Sequence, residues 1–175
     1  GSSDACGIAS LSVSPSTFNC ANVGPNTVTL TVTDNNGNTS TCTATVTVQG
    51  LVAPAAVCQN VTVQLGANGE ATITAAQIDN GSSAACGIAS LSVSPSTFTC
   101  NNVGPNQVTL TVTDNNGNTA TCTATVTVED TTAPNAYCNS ITVQLDGNGH
   151  ATISSTDLDS ESSDVCGISS IVASD

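Results

Sequence analysis

The groups able to do chemistry in this chain are oxygens and sulfurs. Two identical pentapeptides, Asp34–Asn38 and Asp114–Asn118, each set one carboxylate among three asparagines and a glycine. Carboxylate and amide oxygens so spaced suit a hard cation that tolerates irregular geometry, which points to calcium. The 175 residues include 13 Asp plus Glu and no Lys or Arg, for a formal charge of −13, so carboxylates must be solvated, hydrogen-bonded or neutralised by bound ions. The same charge repels nucleic acid and anionic lipid, and excludes both as partners. Nine cysteines and no C-x-x-C spacing argue for disulfides in an oxidising compartment rather than a zinc site.

Catalysis has little to stand on. His150 is the only histidine and takes the place of Glu70 in a turn, no Ser-His-Asp set recurs, and there is no lysine for a Schiff base. Asp157 and Asp159 resemble a hydrolase carboxylate pair. Asp157, however, stands where the preceding repeat has Gln77. The reading is a non-enzyme.

These residues belong to a repeat. GSSDACGIASLSVSPSTF from Gly1 recurs as GSSAACGIASLSVSPSTF from Gly81, and its start recurs as ESSDVCGISS from Glu161, a period of about 80 residues. Thr/Val runs stop and Ala-Pro restarts the chain near Pro54 and Pro134. A proline with fixed φ and no N–H suits such a junction. The expected division is therefore 1–50 as the back part of a preceding module, 54–133 as a complete module, and 134–175 as the front part of the next. With no signal peptide or membrane-length apolar run, the chain reads as an internal window of a longer secreted protein.

Within a repeat the apolar spacing is two, as in strands. Val61, Val63 and Leu65 alternate with Thr62 and Gln64; Ala71 to Ile78 follows the turn at Gly66–Gly69; Ile88 to Val93 and a short strand carrying Phe98 and Cys100 come next. Val108, Leu110 and Val112 then alternate with Thr, as do Cys122, Ala124, Val126 and Val128 beyond the Asp114 turn. No helical spacing is evident. Short strands with frequent turns predict an all-β fold of tandem immunoglobulin-like antiparallel sandwiches. A core of Val, Ala and Thr is thin, and disulfides are expected to supplement it.

Four cysteines per module allow three pairings. The favoured one joins Cys58 to Cys122, between first and last strands, and Cys86 to Cys100 between middle ones, with Cys6–Cys20 repeating the latter. Cys42, Cys138 and Cys166 would then have partners outside the window. Cys58 is out of phase with Val61, which predicts a bulge or strand kink between them.

The last hairpin, VGPNQVTLTVTDNNGNTATCTATVTVED, resembles the closing half of hyalin-repeat modules, and AVCQNVTVQL resembles their Cys-bearing first strand. The whole unit is similar to the tandem repeats of large surface adhesins of gliding Bacteroidota. The resemblance implies an immunoglobulin-like fold, an extracellular cell-surface setting and a role in adhesion. It also implies the Cys58–Cys122 pairing, because two-cysteine members carry cysteines at those positions. In such a sandwich, the turn holding Asp114, Asn116 and Asn118 would meet Asp79 and Asn80 near the incoming linker. Calcium would then stiffen the junction, with Asp34, Asn36 and Asn38 as the equivalent turn, Asp130 in the next linker, and Asp157, Asp159 and Asp164 in the third module. The same Asp-Asn-Asn-Gly-Asn is also a good hairpin turn without an ion. Linkers differ, Glu129-Asp130 against Gln49-Gly50, so junctions would differ in metal affinity. Thr131, in Asp130-Thr131-Thr132, resembles a Bacteroidota O-glycosylation site, which would make the chain a glycoprotein.

The expected function is a structural stalk or filament, whose partners are neighbouring modules or other copies of the chain. The alternatives are a module binding carbohydrate, such as surface glycans, or another ligand, and a strand-exchanged non-covalent fibre.

Overall fold

Alternating Val/Leu and Thr does build the long strands. A computed structural model describes residues 1–173. In chain order the elements are β1 (Ile8–Ser14), β2 (Gly24–Asp34), β3 (Thr39–Val48), β4 (Val61–Gln64), β5 (Glu70–Thr72), α1 (Ala75–Ile78), β6 (Ile88–Ser94), β7 (Thr97–Thr99), β8 (Gly104–Asp114), β9 (Thr119–Glu129) and α2 (Ser155–Leu158). Single 3-10 turns at Cys20–Asn22 and Cys100–Asn102 precede β2 and β8. Several elements recur with the sequence repeat: β1 with β6, β2 with β8, β3 with β9, and α1 with α2 each begin one period apart.

The strands form a three-stranded sheet β1-β2-β3, a four-stranded sheet β4-β9-β8-β6 and a two-stranded sheet β5-β7. β1 and β2, and β2 and β3, pair antiparallel. The chain's compact units are residues 1–55 with 82–90 and 112–120, and residues 56–81 with 91–111 and the chain from Thr121 on.

Three details differ from the expected all-antiparallel strands. β4 runs parallel to β9, with Val61 opposite Val126 and Gln64 opposite Glu129. The expected strand from Ala71 to Ile78 ends at Thr72 and gives way to α1. There the Gln77 side chain accepts from the backbone N–H of Thr74 at 2.7 Å, the reach-back half of a capping box, which stabilises a helical turn. Between Cys58 and Val61 the strand is interrupted rather than bulged: Cys58 precedes β4 and bridges Asp79.

Apart from Val28, the core lies between Leu65 and Val128. Phe98, Ile78, Leu110, Val108, Val112, Val126 and Val128 are fully buried, with Leu65, Ile73 and Ala124 nearly so. Their Thr neighbours on β8 and β9 point to the wetter face, so one face is packed and the other half-solvated. Among the described residues no helix is long and apolar enough to cross a membrane, which does not bear on membrane-crossing strands.

Candidate functional site

Three disulfides are present: Cys20–Cys86, Cys58–Cys122 and Cys100–Cys166. Cys58–Cys122 is one of the expected bonds. Cys6–Cys20 and Cys86–Cys100 do not form, and the reason is the path of the chain. Beyond Cys86, β6 carries it from Ile88 as far as Ser94, about 20 Å at about 3.3 Å per residue. A disulfide needs its Cα atoms within about 7 Å, so the chain from Pro95 would have to run straight back along β6. It does not: β7 pairs with β5 in another sheet, and Cys100 has already turned into a 3-10 helix. Cys100 reaches Cys166 instead, with Cα atoms 5.1 Å apart, and Cys20 reaches Cys86 at 5.4 Å. Both bonds span 66 residues, so each ties a repeat to its successor. Cys166, expected to need a partner outside the chain, has one within it, whereas Cys6, Cys42 and Cys138 are exposed free thiols.

The turn Asp114–Asn118 holds the Cys86 end of the Cys20–Cys86 bond. Asn115 Nδ2 donates to the carbonyl of Cys86 at 2.7 Å, and Asn115 N donates to Gly87 O at 3.1 Å. Asn35 does the same for Cys6 and Gly7, at 2.7 and 3.2 Å. Gly87 has φ +86°, and a Cβ there would stand 2.8 Å from Asn115 Nδ2, so both backbone conformation and space demand glycine. Asn118 Nδ2 donates to Gly50 O at 2.7 Å. This role of Asn115 escaped sequence reasoning. The recurrence of Ala-Cys-Gly together with a later Asp-Asn-Asn-Gly in both repeats was the available clue.

The expected metal residues divide among several roles. Asp114 is 3% exposed; its Oδ1 accepts from Asn116 N and Asn118 N at 2.9 and 2.8 Å, and its Oδ2 accepts from Asn118 Nδ2 at 2.8 Å. The Asn118 side chain, followed by backbone N–H groups, holds the Asp114 carboxyl below its ordinary range. Asp34 is bonded in the same way to Asn36 and Asn38, and is shifted in the same direction mainly by the Asn38 side chain. In both turns the donors close on the carboxylate itself. Asp79 pairs its backbone with Cys58, and Asn80 N donates to Val57 O. Asp157 caps α2, accepting from Ser154 N and Oγ at 2.7 Å each, bonds that lower its pKa. Gln77 does this job at α1. Asp159 Oδ1 accepts from Ser162 N at 3.2 Å. His150 contributes a backbone N–H to Asp146, whose pKa is lowered mainly by that bond. Thr131 is exposed, beside Thr132, whose N–H donates to Asp130 Oδ1 at 3.0 Å.

Among the described residues one trio of His, Cys, Asp or Glu brings its ligand atoms within 4.8 Å: Asp130, Asp164 and Cys166. The Cys166 sulfur is already in a disulfide, which leaves two carboxylates. Asp164 Oδ1 accepts from Cys166 N at 2.7 Å, while its buried Oδ2 has no hydrogen-bond partner. Two close carboxylates with an unsatisfied oxygen suit a hard cation. Eighty residues earlier in the sequence the corresponding residues are Gly50 and Ala84.

Three disulfides indicate an oxidising, secreted or extracellular environment. A scan of protein-family models returned no match to the chain, and a search of curated proteins likewise returned none.

Proposed function

We propose that this chain is a stretch of the stalk or filament of an extracellular cell-surface adhesin, built from immunoglobulin-like sandwiches of the hyalin-repeat type strung end to end. The observation that carries the reading is the recurring 66-residue disulfide, which joins each repeat to the following one. A catalytic or signalling domain has no use for a covalent tie at every repeat; a load-bearing array does. Carbohydrate recognition by aromatic platforms has less support: Phe98 is buried, and Tyr137, 55% exposed, is the only Phe or Tyr ring exposed among the described residues. Negative-stain images of the oxidised chain should show straight rods of uniform width. Flexible, beaded particles that bind members of a glycan panel would contradict the stalk.

Calcium belongs to this proposal. Asp130 and Asp164 would hold the ion, which would neutralise their charge and stiffen that junction, while the Gly50/Ala84 junction would go without. Calorimetry should find one calcium site, lost in Asp164→Asn, and chelator should lower the melting temperature of the parent chain. No binding and no effect of chelator would remove calcium from the account.

A second reading, assembly by strand exchange, draws on the exposed counterparts of core residues. Leu145 and Ile153 are 69% and 49% exposed, whereas Leu65 and Ile73 are 5% and 4%. β3 is a sheet edge on the side where β9 receives β4. The front segment of another copy would complete β3, bringing Cys138 to Cys42 as Cys58 meets Cys122. Sedimentation of the chain at rising concentration should then show end-to-end multimers, and a monomer throughout would exclude them.

A further inference from the structure

The three disulfides interlace. Cys58 lies inside the loop closed by Cys20–Cys86, and Cys100 lies inside the loop closed by Cys58–Cys122. Every residue from Cys20 to Cys166 is thus enclosed by at least one bond. We propose that this linkage gives the chain a further function, a covalent bypass that carries tension past most of the polypeptide and makes it nearly inextensible.

The load path follows from connectivity. Tension entering at Gly1 runs to Cys20 and crosses to Cys86. It then follows the chain from Gly87 to Cys100, crosses to Cys166 and leaves by the remaining residues. The segments 21–85 and 101–165 hang as slack side loops. They include β2 to β5, α1, β8 and β9, and the two segments hold nearly all the buried core. At about 3.5 Å per extended residue, each repeat lengthens to only about 55 Å before its bonds are loaded, against about 280 Å when reduced. The full chain should pull taut at about 160 Å when oxidised and at about 610 Å when reduced. The tension-bearing segment is β6, the Ser-Pro turn and β7, of which only Phe98 is fully buried. The core can therefore open under load without the array growing long, and it can close again when the load drops.

The bonds are unequal in this scheme. Cys58–Cys122 joins two side loops and lies off the shortest path, so it adds no restraint while the other two are intact. Without Cys20–Cys86 the shortest route runs through Cys58, Cys122 and back to Cys100, and the taut length rises to about 320 Å. Ordinary stabilising disulfides carry no such ranking. The inference does not depend on the cell-surface reading, since it follows from the bonds alone. An array that bends in negative stain would sink the stalk and leave the bypass standing.

The test is to hold the oxidised chain by its two ends in optical tweezers, measure its taut length, and then add a dithiol reductant to the same tether. The expected lengths are about 160 Å before and about 610 Å after. Cys58→Ser/Cys122→Ser should leave the oxidised length unchanged, and Cys20→Ser/Cys86→Ser should double it. The readout is contour length, so a variant with a weakened core still reports, and the parent tether serves as its own control. An oxidised parent chain reaching about 600 Å, or equal lengthening in the two double variants, would overturn the bypass.

Discussion

Asp114 keeps its charge because three N–H groups converge on its two carboxylate oxygens, and that convergence has a pH signature. Its pKa is depressed in the folded chain, with the Asn118 side chain as the largest cause. A depressed carboxyl contributes stability that is complete above the unfolded value, about 3.9, and is lost as pH falls through the folded value. Asp34, Asp146 and Asp157 shift in the same direction. Protonation also relieves self-repulsion in a chain of charge −13, which acts with the opposite sign. Comparison with Asp114→Asn separates the two, because the variant retains most of that charge. Urea midpoints measured from about pH 7 to about pH 2 should stay level to about pH 4 and then fall, less steeply in Asp114→Asn. In the same turn, Asn115→Ala removes the grip on Cys86 and should cost about 1 kcal/mol in the oxidised chain, read from the same midpoints. None of this was visible in the turn's composition alone. Asp-Asn-Asn-Gly-Asn reads equally well as hairpin or ion ligand, and only the fold reveals that Asn115 reaches a residue 29 positions upstream.

Among the strands, identical sequences differ in burial according to what covers them. Leu110 on β8 is completely buried, while its counterpart Leu30 on β2 is only half-buried. Leu110→Ala should therefore cost about 2–5 kcal/mol by denaturant unfolding and Leu30→Ala less than half as much. Equal losses would show that Leu30 is covered as fully as Leu110. The strands themselves were legible from period-two alternation, β8 and β9 most clearly. The short helices were not, since Ala75 to Ile78 is too brief to show a helical period. Thr74-x-x-Gln77 was the available sign, and Ser154-x-x-Asp157 repeats it with a shorter side chain that is a carboxylate instead of an amide. The parallel pairing of β4 with β9 also lay beyond reach, because alternation specifies which face a side chain takes but not the strand's direction.

Across the full chain, what matters is which repeat a cysteine chooses. Cys20 and Cys100 occupy the same place in successive repeats, so pairing within a repeat and pairing to the next repeat look alike in sequence. The chain's path decides between them, because β6 separates Cys86 from Cys100 while the loop before β6 meets the preceding repeat's 3-10 turn. The interlaced bonds, the bypass and the proposed stalk all rest on that choice. Mass spectrometry of a non-reduced peptic digest tests it most directly. Trypsin has no Lys or Arg to cut, whereas pepsin acts beside Leu91 and Phe98, between Cys86 and Cys100, in acid that suppresses thiol exchange. The account predicts cross-linked peptides joining Cys20 to Cys86 and Cys100 to Cys166. Peptides joining Cys6 to Cys20 and Cys86 to Cys100 would contradict it.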